Sequence, residues 1–356
     1  MRRSVIAGIV LCAVLLAGAT WLWLQPPSAA RLQAEAEREG AVRILGNADA
    51  EAVAPLIAAF RRQHPQLNVT YEDLQSSDLH RRFLADAAAA QPGVDIVWSS
   101  AMDLQAKLIN DGHAQAYASP HKAALPPEAL WKDMGYGITA EPVALVYNRR
   151  AIAPDRVPRT HRALEQLLTS GDPALRGRVA TYDPAQSDVG YLYLTQDLAA
   201  TRDTYALWRA LAANDPVLAS TTAEMVDAVA EGRAAIGYNV VGPYALQRAG
   251  ADDWLGIVFL QDYTLVASRI AFIARDAPHP AAGRLFLDWM LSREGQALLA
   301  GEGLPPVRTD MANGGPDVAH PRAIPGGPQL FVNLDPVKRR RVLGEWDAIL
   351  AEGAGS

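Results

Sequence analysis

At 356 residues the chain is longer than one hydrophobic core usually supports, so two domains are expected. Half of it is hydrophobic and a fifth is charged, which excludes a disordered chain, and a formal net charge of −6 argues against the basic face of a nucleic-acid binder. The only cysteine, Cys12, lies in the apolar N-terminal segment, so the body holds no disulfide, thiol nucleophile or thiolate metal site.

Arg2 and Arg3 precede an uncharged run from Val5 to Leu24, followed by Gln25-Pro26-Pro27 and the small residues Ser28 and Ala30. That is the order of a secretory signal peptide. The run is also long enough, at about 20 residues, to span a bilayer, and Trp21 and Trp23 stand where an interfacial belt would be. Residues 1–30 are therefore read as a signal peptide or an uncleaved membrane anchor. Either way the body is exported, into the periplasm, and the anchor would tether it to the inner membrane.

From Val42 onward, short apolar runs alternate with helical patterns. "VRILGN" reads as a strand, and "DAEAVAPLIAAFRRQHP" as a helix with Val53, Leu56, Ile57 and Phe60 on one face, its start blurred by Pro55. "NVTYEDL" is a second strand, after which Ser76-Ser77 is expected to cap a helix. "VDIVWSS" and "AMDLQAKLINDG" form the third strand–helix pair. "EPVALVYNRR" is a strand that opens a second series: helix "THRALEQLLTS", strand "RVATYDP", helix "SDVGYLYLTQDLAA", two further helices, then the strands "AAIGYNVV" and "LGIVFL". "YTLVASRIAFIA" reads as one long strand and "HPAAGRLFLDWMLSREGQALLA" as helical. A Gly/Pro-rich stretch then leads to a terminal amphipathic helix whose basic edge is Lys338-Arg339-Arg340-Arg341.

Repeated strand–helix units imply an α/β fold with mostly parallel sheets flanked by helices. Two such series joined by the long strand-like segments 141–148 and 263–274 imply two lobes with crossing connections. Residues 41–140 with 270–310 are assigned to lobe 1, 141–269 to lobe 2, and 311–356 to a C-terminal tail. The cleft between the lobes then receives the carboxyl ends of the strands, where ligands bind in open α/β sheets.

No catalytic set is visible. His-Glu-x-x-His, Gly-x-Ser-x-Gly, the phosphate-loop pattern and Gly-x-Gly-x-x-Gly are all absent, and no two of the seven histidines have i, i+4 spacing. No enzyme activity, cofactor or metal is expected.

Four strand-end corners share one chemistry: Asn47-Ala48-Asp49, Ser99-Ser100, Asp183 with Ser187-Asp188, and Tyr238-Asn239 with Tyr244. Small hydroxyl, amide and carboxylate residues there are either helix caps or, with the free N–H groups and positive dipole end of a helix, a site for an oxygen-rich solute or anion. Arg269 lies inside an apolar run and must meet a carboxylate of the protein or of a ligand. Glu141 stands at the crossing between lobes, and Tyr263, like Tyr238, is placed to line a cleft. The candidate ligand-binding set is Asn47, Ala48, Asp49, Ser99, Ser100, Glu141, Asp183, Ser187, Asp188, Tyr238, Asn239, Tyr263 and Arg269.

The segments "DAEAVAPLIAAFRRQHPQLNVTYEDL", "VDIVWSSAMDLQAKLINDG", "GITAEPVALVYNRR" and "HPAAGRLFLDWMLSREGQALLA" resemble the extracellular solute-binding proteins of ABC importers. The likeness is nearest to the ferric-iron-binding branch and the phosphoglycerate-transport regulatory protein, over roughly residues 41–310. It implies a two-lobed periplasmic-binding-protein fold, closure around a small-molecule solute, and a monomer that docks on an ABC permease or, in a sensing role, on a receptor kinase at the inner membrane. Ferric-binding relatives carry adjacent tyrosines where this chain reads Gly237-Tyr238-Asn239. That departure turns the expectation from iron toward a small oxygen-rich, anionic organic solute.

Overall fold

The structure is a computed structural model that describes residues 29–89, 93–311 and 315–354. The leader reading for residues 1–30 thus lies outside the described residues for all but its last two positions. Ala29 and Ala30 begin the helix Ala29–Glu39, which packs on the helix Pro280–Leu291. Among the described residues no helix is long and apolar enough to cross a membrane.

The strands are, in chain order, β1 (Ala41–Gly46), β2 (Asn68–Asp73), β3 (Ile96–Ser99), β4 (Leu130–Trp131), β5 (Gly135–Gly137), β6 (Glu141–Asn148) and β7 (Val179–Tyr182). They continue with β8 (Val217–Ala219), β9 (Ile236–Val241), β10 (Leu255–Val258), β11 (Thr264–Ala267), β12 (Ile270–Ile273) and β13 (Pro321–Ala323). One sheet has the order β2-β1-β3-β12-β5-β4; the other runs β13-β11-β6-β9-β7-β8, with β10 also paired to β6. The β1–β2, β1–β3, β7–β8 and β7–β9 pairs are parallel, whereas the strands arriving across the hinge, β6 and β12, pair antiparallel with their neighbours. The result is a two-lobed α/β fold, lobe 1 on the first sheet and lobe 2 on the second.

Two apolar runs that read as continuous are broken, each for a visible reason. "YTLVASRIAFIA" is two strands, β11 in lobe 2 and β12 in lobe 1. The chain changes sheet at Ser268-Arg269, where Arg269 N donates to Thr139 Oγ1 instead of to a strand neighbour. "HPAAGRLFLDWMLSREGQALLA" is two helices, Pro280–Leu291 and Arg293–Gly301, because Ser292 is extended (φ −67°, ψ 160°) and caps the second by accepting from Gly295 N at 3.0 Å. Pro55, in contrast, does not delay its helix, which spans Ala50–Gln63.

Lobe 1 is built around Phe60, Phe286 and Trp289, with the Phe60 and Phe286 rings edge-on at 4.9 Å. Trp98 is fully buried beneath the same sheet. Lobe 2 gathers Leu164, Leu194, Trp208 and Tyr238, and the terminal helix Pro336–Ala354 joins this core through Trp346, edge-on to Trp208 at 5.4 Å. Phe60→Ala removes a fully buried ring from a close-packed cluster. It is expected to destabilise the protein by roughly 3–5 kcal/mol, read as a lowered urea midpoint of the tryptophan fluorescence transition.

Candidate functional site

Five helices start on one interlobe cleft: Ala50–Gln63 and Ser76–Ala88 from lobe 1, and Asp188–Ala200, Thr222–Ala230 and Gly242–Ala249 from lobe 2, while the lobe 1 helix Met102–Asn110 reaches it only through Ser100, before its buried start. This follows from topology, because each helix succeeds a strand and the strand ends of both sheets open toward the gap. The cavity holds about 210 Å³.

The two sides differ in how those helix starts are satisfied. In lobe 2, Ser187 accepts from Gly190 N at 3.1 Å and Thr221 forms a capping box with Glu224, whereas the helix Gly242–Ala249 follows Val241 without a side-chain cap. In lobe 1 the N-cap residues Asp49, Gln75 and Ala101 make no side-chain cap bond. Ser76, expected as a cap, sits inside the first turn and accepts from Asn47 Nδ2 at 2.6 Å. Asn47 also donates to Ser100 Oγ at 2.7 Å and accepts from Ser100 N at 3.0 Å, so one amide ties together the ends of β1 and β3 and the start of a helix. The lobe 1 wall therefore combines hydroxyls with helix starts that lack side-chain caps, although Ala50 N donates to Asp73 at 3.3 Å, Ala101 N to Ser99 Oγ at 3.2 Å and Leu104 N to Asp103 Oδ1 at 2.9 Å.

Behind this wall lies Arg269, 2% exposed. Its Nε donates to Glu141 Oε1 at 2.9 Å, its Nη1 to the Asn47 carbonyl and Oδ1 at 2.9 and 3.0 Å, and its Nη2 to Tyr244 OH at 3.3 Å and, weakly, to Glu141 Oε2 at 3.5 Å. All five guanidinium N–H groups are thus engaged within the protein. Burial opposes the charged form, but the adjacent Glu141 carboxylate outweighs it and the arginine pKa is raised. Thr139 Oγ1 donates to the same Glu141 Oε1 at 2.6 Å. The carboxylate that Arg269 meets is the protein's own.

Asn47, Asp49, Ser100, Ser187, Asp188 and Arg269 line the cavity together. Ala48 lies on a second, 150 Å³ cavity behind it, shared with Asp49 and Tyr244. Ser99 is buried behind Ser76 and Ser100, and Glu141 behind Arg269. Asp183 is spent on its own turn, accepting from Ala185 N and Gln186 Nε2.

Tyr238, Asn239 and Tyr263 are elsewhere: all three donate to the buried carboxylate of Asp197, at 2.8, 2.7 and 2.9 Å. The cause is a bulge. Tyr238 and Asn239 face the single residue Leu145 between two β6–β9 pairs, and Asn239 has a left-handed backbone (φ 65°) that turns both side chains into the lobe 2 core. The tyrosines that do line the cavity are Tyr182 and Tyr244.

Also on the wall, and absent from the candidate set, are Asp73, Gln75, Ser76, Ser77, Gln186 and Ser220-Thr221-Thr222. Each stands at a strand-to-helix junction, a signal the chain gave at every corner. Burial raises the pKa of Asp73 and of Asp188; Arg339 and His80 pull Asp188 the other way. A two-lobed fold with an interlobe cleft rich in hydroxyls, amides and carboxylate acceptors is the architecture of a solute-binding protein.

Comparisons with known proteins give that class a family. The family model described as bacterial extracellular solute-binding protein matches residues 55–326. The crystal structure of the substrate binding protein of an ABC transporter from Agrobacterium tumefaciens is 32% identical, with a TM-score of 0.80 over 87% of this chain and 94% of that one. The chain belongs to the bacterial extracellular solute-binding proteins, a family of binding proteins. Iron-bound HitA from Pseudomonas aeruginosa (18% identity, TM-score 0.68, 87% of this chain and 99% of that) shares the fold. So does AfuA from Actinobacillus pleuropneumoniae with fructose-6-phosphate bound (16%, 0.68, 88% and 99%). No curated protein matches the chain.

Removing one member of the Arg269–Glu141 pair leaves a buried charge without its partner. Glu141→Gln is expected to destabilise by about 3–5 kcal/mol, whereas the double replacement Glu141→Leu with Arg269→Met should lose much less; thermal melts of the three proteins make the comparison. A second expectation concerns Asp103, wholly buried in the helix Met102–Asn110, whose pKa burial pushes up to about 7. Its folded-state pKa exceeds the unfolded one, so the native state binds the extra proton and stability falls as pH rises between about 4 and 7. Asp103→Asn should remove that part of the pH dependence and gain stability at pH 8, as difference melts across the range would reveal.

Proposed function

We propose that this protein captures a small polyhydroxylated organic anion, such as a phosphorylated or carboxylated metabolite, between its lobes and delivers it to an ABC importer. The observation that carries the reading is the convergence of five helix N-termini, three of them (after Asp49, Gln75 and Val241) without side-chain caps, on one cavity that also presents Asp49, Asp73 and Asp188. Helix starts and serine hydroxyls donate to oxyanion oxygens. The carboxylates, acceptors when ionised, select hydroxyl groups on the same solute. A cavity of about 210 Å³ has room for a small metabolite.

The sugar-phosphate complex of AfuA and the transporter role of the Agrobacterium protein support the same reading. A ferric ion finds less here. Tyr244 OH is engaged by Arg269 and Tyr182 OH by Thr222, and among the described residues no three His, Cys, Asp or Glu side chains are grouped to hold a metal. The apolar leader would carry the body to the periplasm, where the family acts.

Closure completes the contact set, since lobe 1 supplies amides and Asn47-anchored serines while lobe 2 supplies Ser187, Thr221 and Thr222. Thermal unfolding against 3-phosphoglycerate, phosphoenolpyruvate, hexose 6-phosphates, citrate and ferric citrate tests this. A ligand at 100 times its Kd stabilises by about 2.7 kcal/mol. We expect a rise in Tm with one phosphorylated or hydroxylated acid, abolished by Ser100→Trp, which fills the lobe 1 wall. A rise with ferric citrate that citrate does not reproduce would replace this reading with iron capture.

A further inference from the structure

The C-terminal segment does not simply follow lobe 2. It crosses between lobes repeatedly beside the cleft. β13 adds to β11 in lobe 2, and Ile324 N donates to Val266 O at 2.9 Å. Two residues later Gly326 N donates to Glu128 O of lobe 1 at 2.8 Å. The short helix Pro328–Phe331 then packs on the lobe 1 helix Met102–Asn110, with the Phe331 ring 6.1 Å from Trp131. The chain next returns to lobe 2, where Asn333 O accepts from Tyr191 OH at 2.6 Å, and the terminal helix packs on Thr204–Ala212.

That return brings Arg339 to the cleft. Three of the four residues in the basic run face outward, but Arg339 turns in. Its guanidinium lies 4.2 Å over the Tyr191 ring and 3.9 Å from Asp188, the carboxylate at the start of a cleft helix. Tyr191 and Asp188 lie one turn apart on that helix (i, i+3), so one arginine grips two neighbours on one face. The run is also placed against the terminal helix dipole: no acid stands in its first turn and no base in its last. Helix stability therefore does not account for the arginine; its contacts do.

We propose that Arg339 is a positioning residue of the binding site, and that the segment 324–339 is a strap anchored on both lobes that limits how far the cleft opens. Separating the lobes must either lift Pro328–Phe331 from the lobe 1 helix or pull the Asn333–Tyr191 and Arg339–Asp188 contacts from lobe 2. The strap thus links the conformation of a cleft carboxylate to lobe separation. This rests on the lobe-closure part of the proposed function and not on the solute's identity.

The test needs no solute. In the full chain carrying Cys12→Ser, cysteines replace the exposed residues Leu84 of lobe 1 and Leu218 of lobe 2. Both carry spin labels, and double electron–electron resonance gives the ligand-free distance distribution. Arg339→Ala and Tyr191→Phe are each expected to at least double the population at the longer separation, Arg339→Lys to restore part of the parent distribution, and Phe331→Ala to act in the same direction from the lobe 1 side. Arg340→Ala, on the exposed face, should leave the distribution unchanged. Tyr191→Phe keeps the ring and loses only the hydroxyl, so it remains informative should Phe331→Ala fold poorly. Distributions for Arg339→Ala and Tyr191→Phe that superimpose on the parent would overturn the strap, as would an Arg340→Ala shift equal to that of Arg339→Ala. Parent lobes that hold one separation here yet bind a solute in the thermal test would instead overturn lobe closure alone.

Discussion

A buried guanidinium at the crossing of two strands organises this molecule. The chain passes between sheets at Thr139–Glu141 and again at Ser268–Arg269, where the backbone leaves one ladder before it enters the next. Such a junction exposes polar groups to the interior, and unpaired groups there are costly. Arg269 resolves this with a flat, five-donor fork that reaches Glu141, the Asn47 carbonyl and side chain, and Tyr244 together. A lysine, with three donors on a point charge, could not span those directions. The ion pair is not primarily a source of stability, since desolvation offsets much of its attraction. Its contribution is to fix where the end of β1 sits relative to lobe 2.

From that fixed point the wall of the cleft follows. Asn47, held by Arg269, holds Ser76 and Ser100 in turn, so the serines present hydroxyls in set directions without capping their own helices. Lobe 2 solves the same local problem by ordinary means, with Ser187 and the Thr221–Glu224 box. The asymmetry is physical. None of the lobe 1 helices carries an N-cap side-chain bond, while lobe 2 caps two of its three and offers hydroxyls at the rim.

Strand–helix alternation made most elements legible in the sequence, because period-2 and period-3.6 patterns in 41–300 are clean and the turns between them carry Gly, Asn and Ser. What periodicity cannot register is a break within one apolar run: 263–274 is placed at the crossing between lobes, with the lobe boundary after Arg269, but "YTLVASRIAFIA" reads as one strand where the chain makes two. The strand-end corners drew attention to Asn47, Asp49, Ser100, Ser187 and Asp188, all on the cavity. Tyr238 and Asn239 were misplaced because a bulge reverses which face a strand residue takes, and a bulge leaves no pattern beyond Asn239, a residue tolerant of left-handed backbone. The tail was harder still. Its Gly/Pro-rich start has no period, and the inward turn of Arg339 among three outward bases depends on Tyr191, far away in sequence.

The charge pattern of the cleft bears on selectivity for the oxygen-rich anion proposed above. Its one lining arginine is already neutralised by Glu141, and three carboxylates share the wall. A cavity with a free cation would attract any anion at long range, with little regard to shape, and salt would screen much of that attraction. Backbone N–H groups at helix starts act over a shorter range and only along their own bond directions, and being fixed they lose no side-chain entropy when the solute arrives. On the proposed reading, the carboxylates would repel a bare inorganic anion that offers no hydroxyl in return, while accepting one that does. Discrimination arises from what the wall refuses as well as from what it binds.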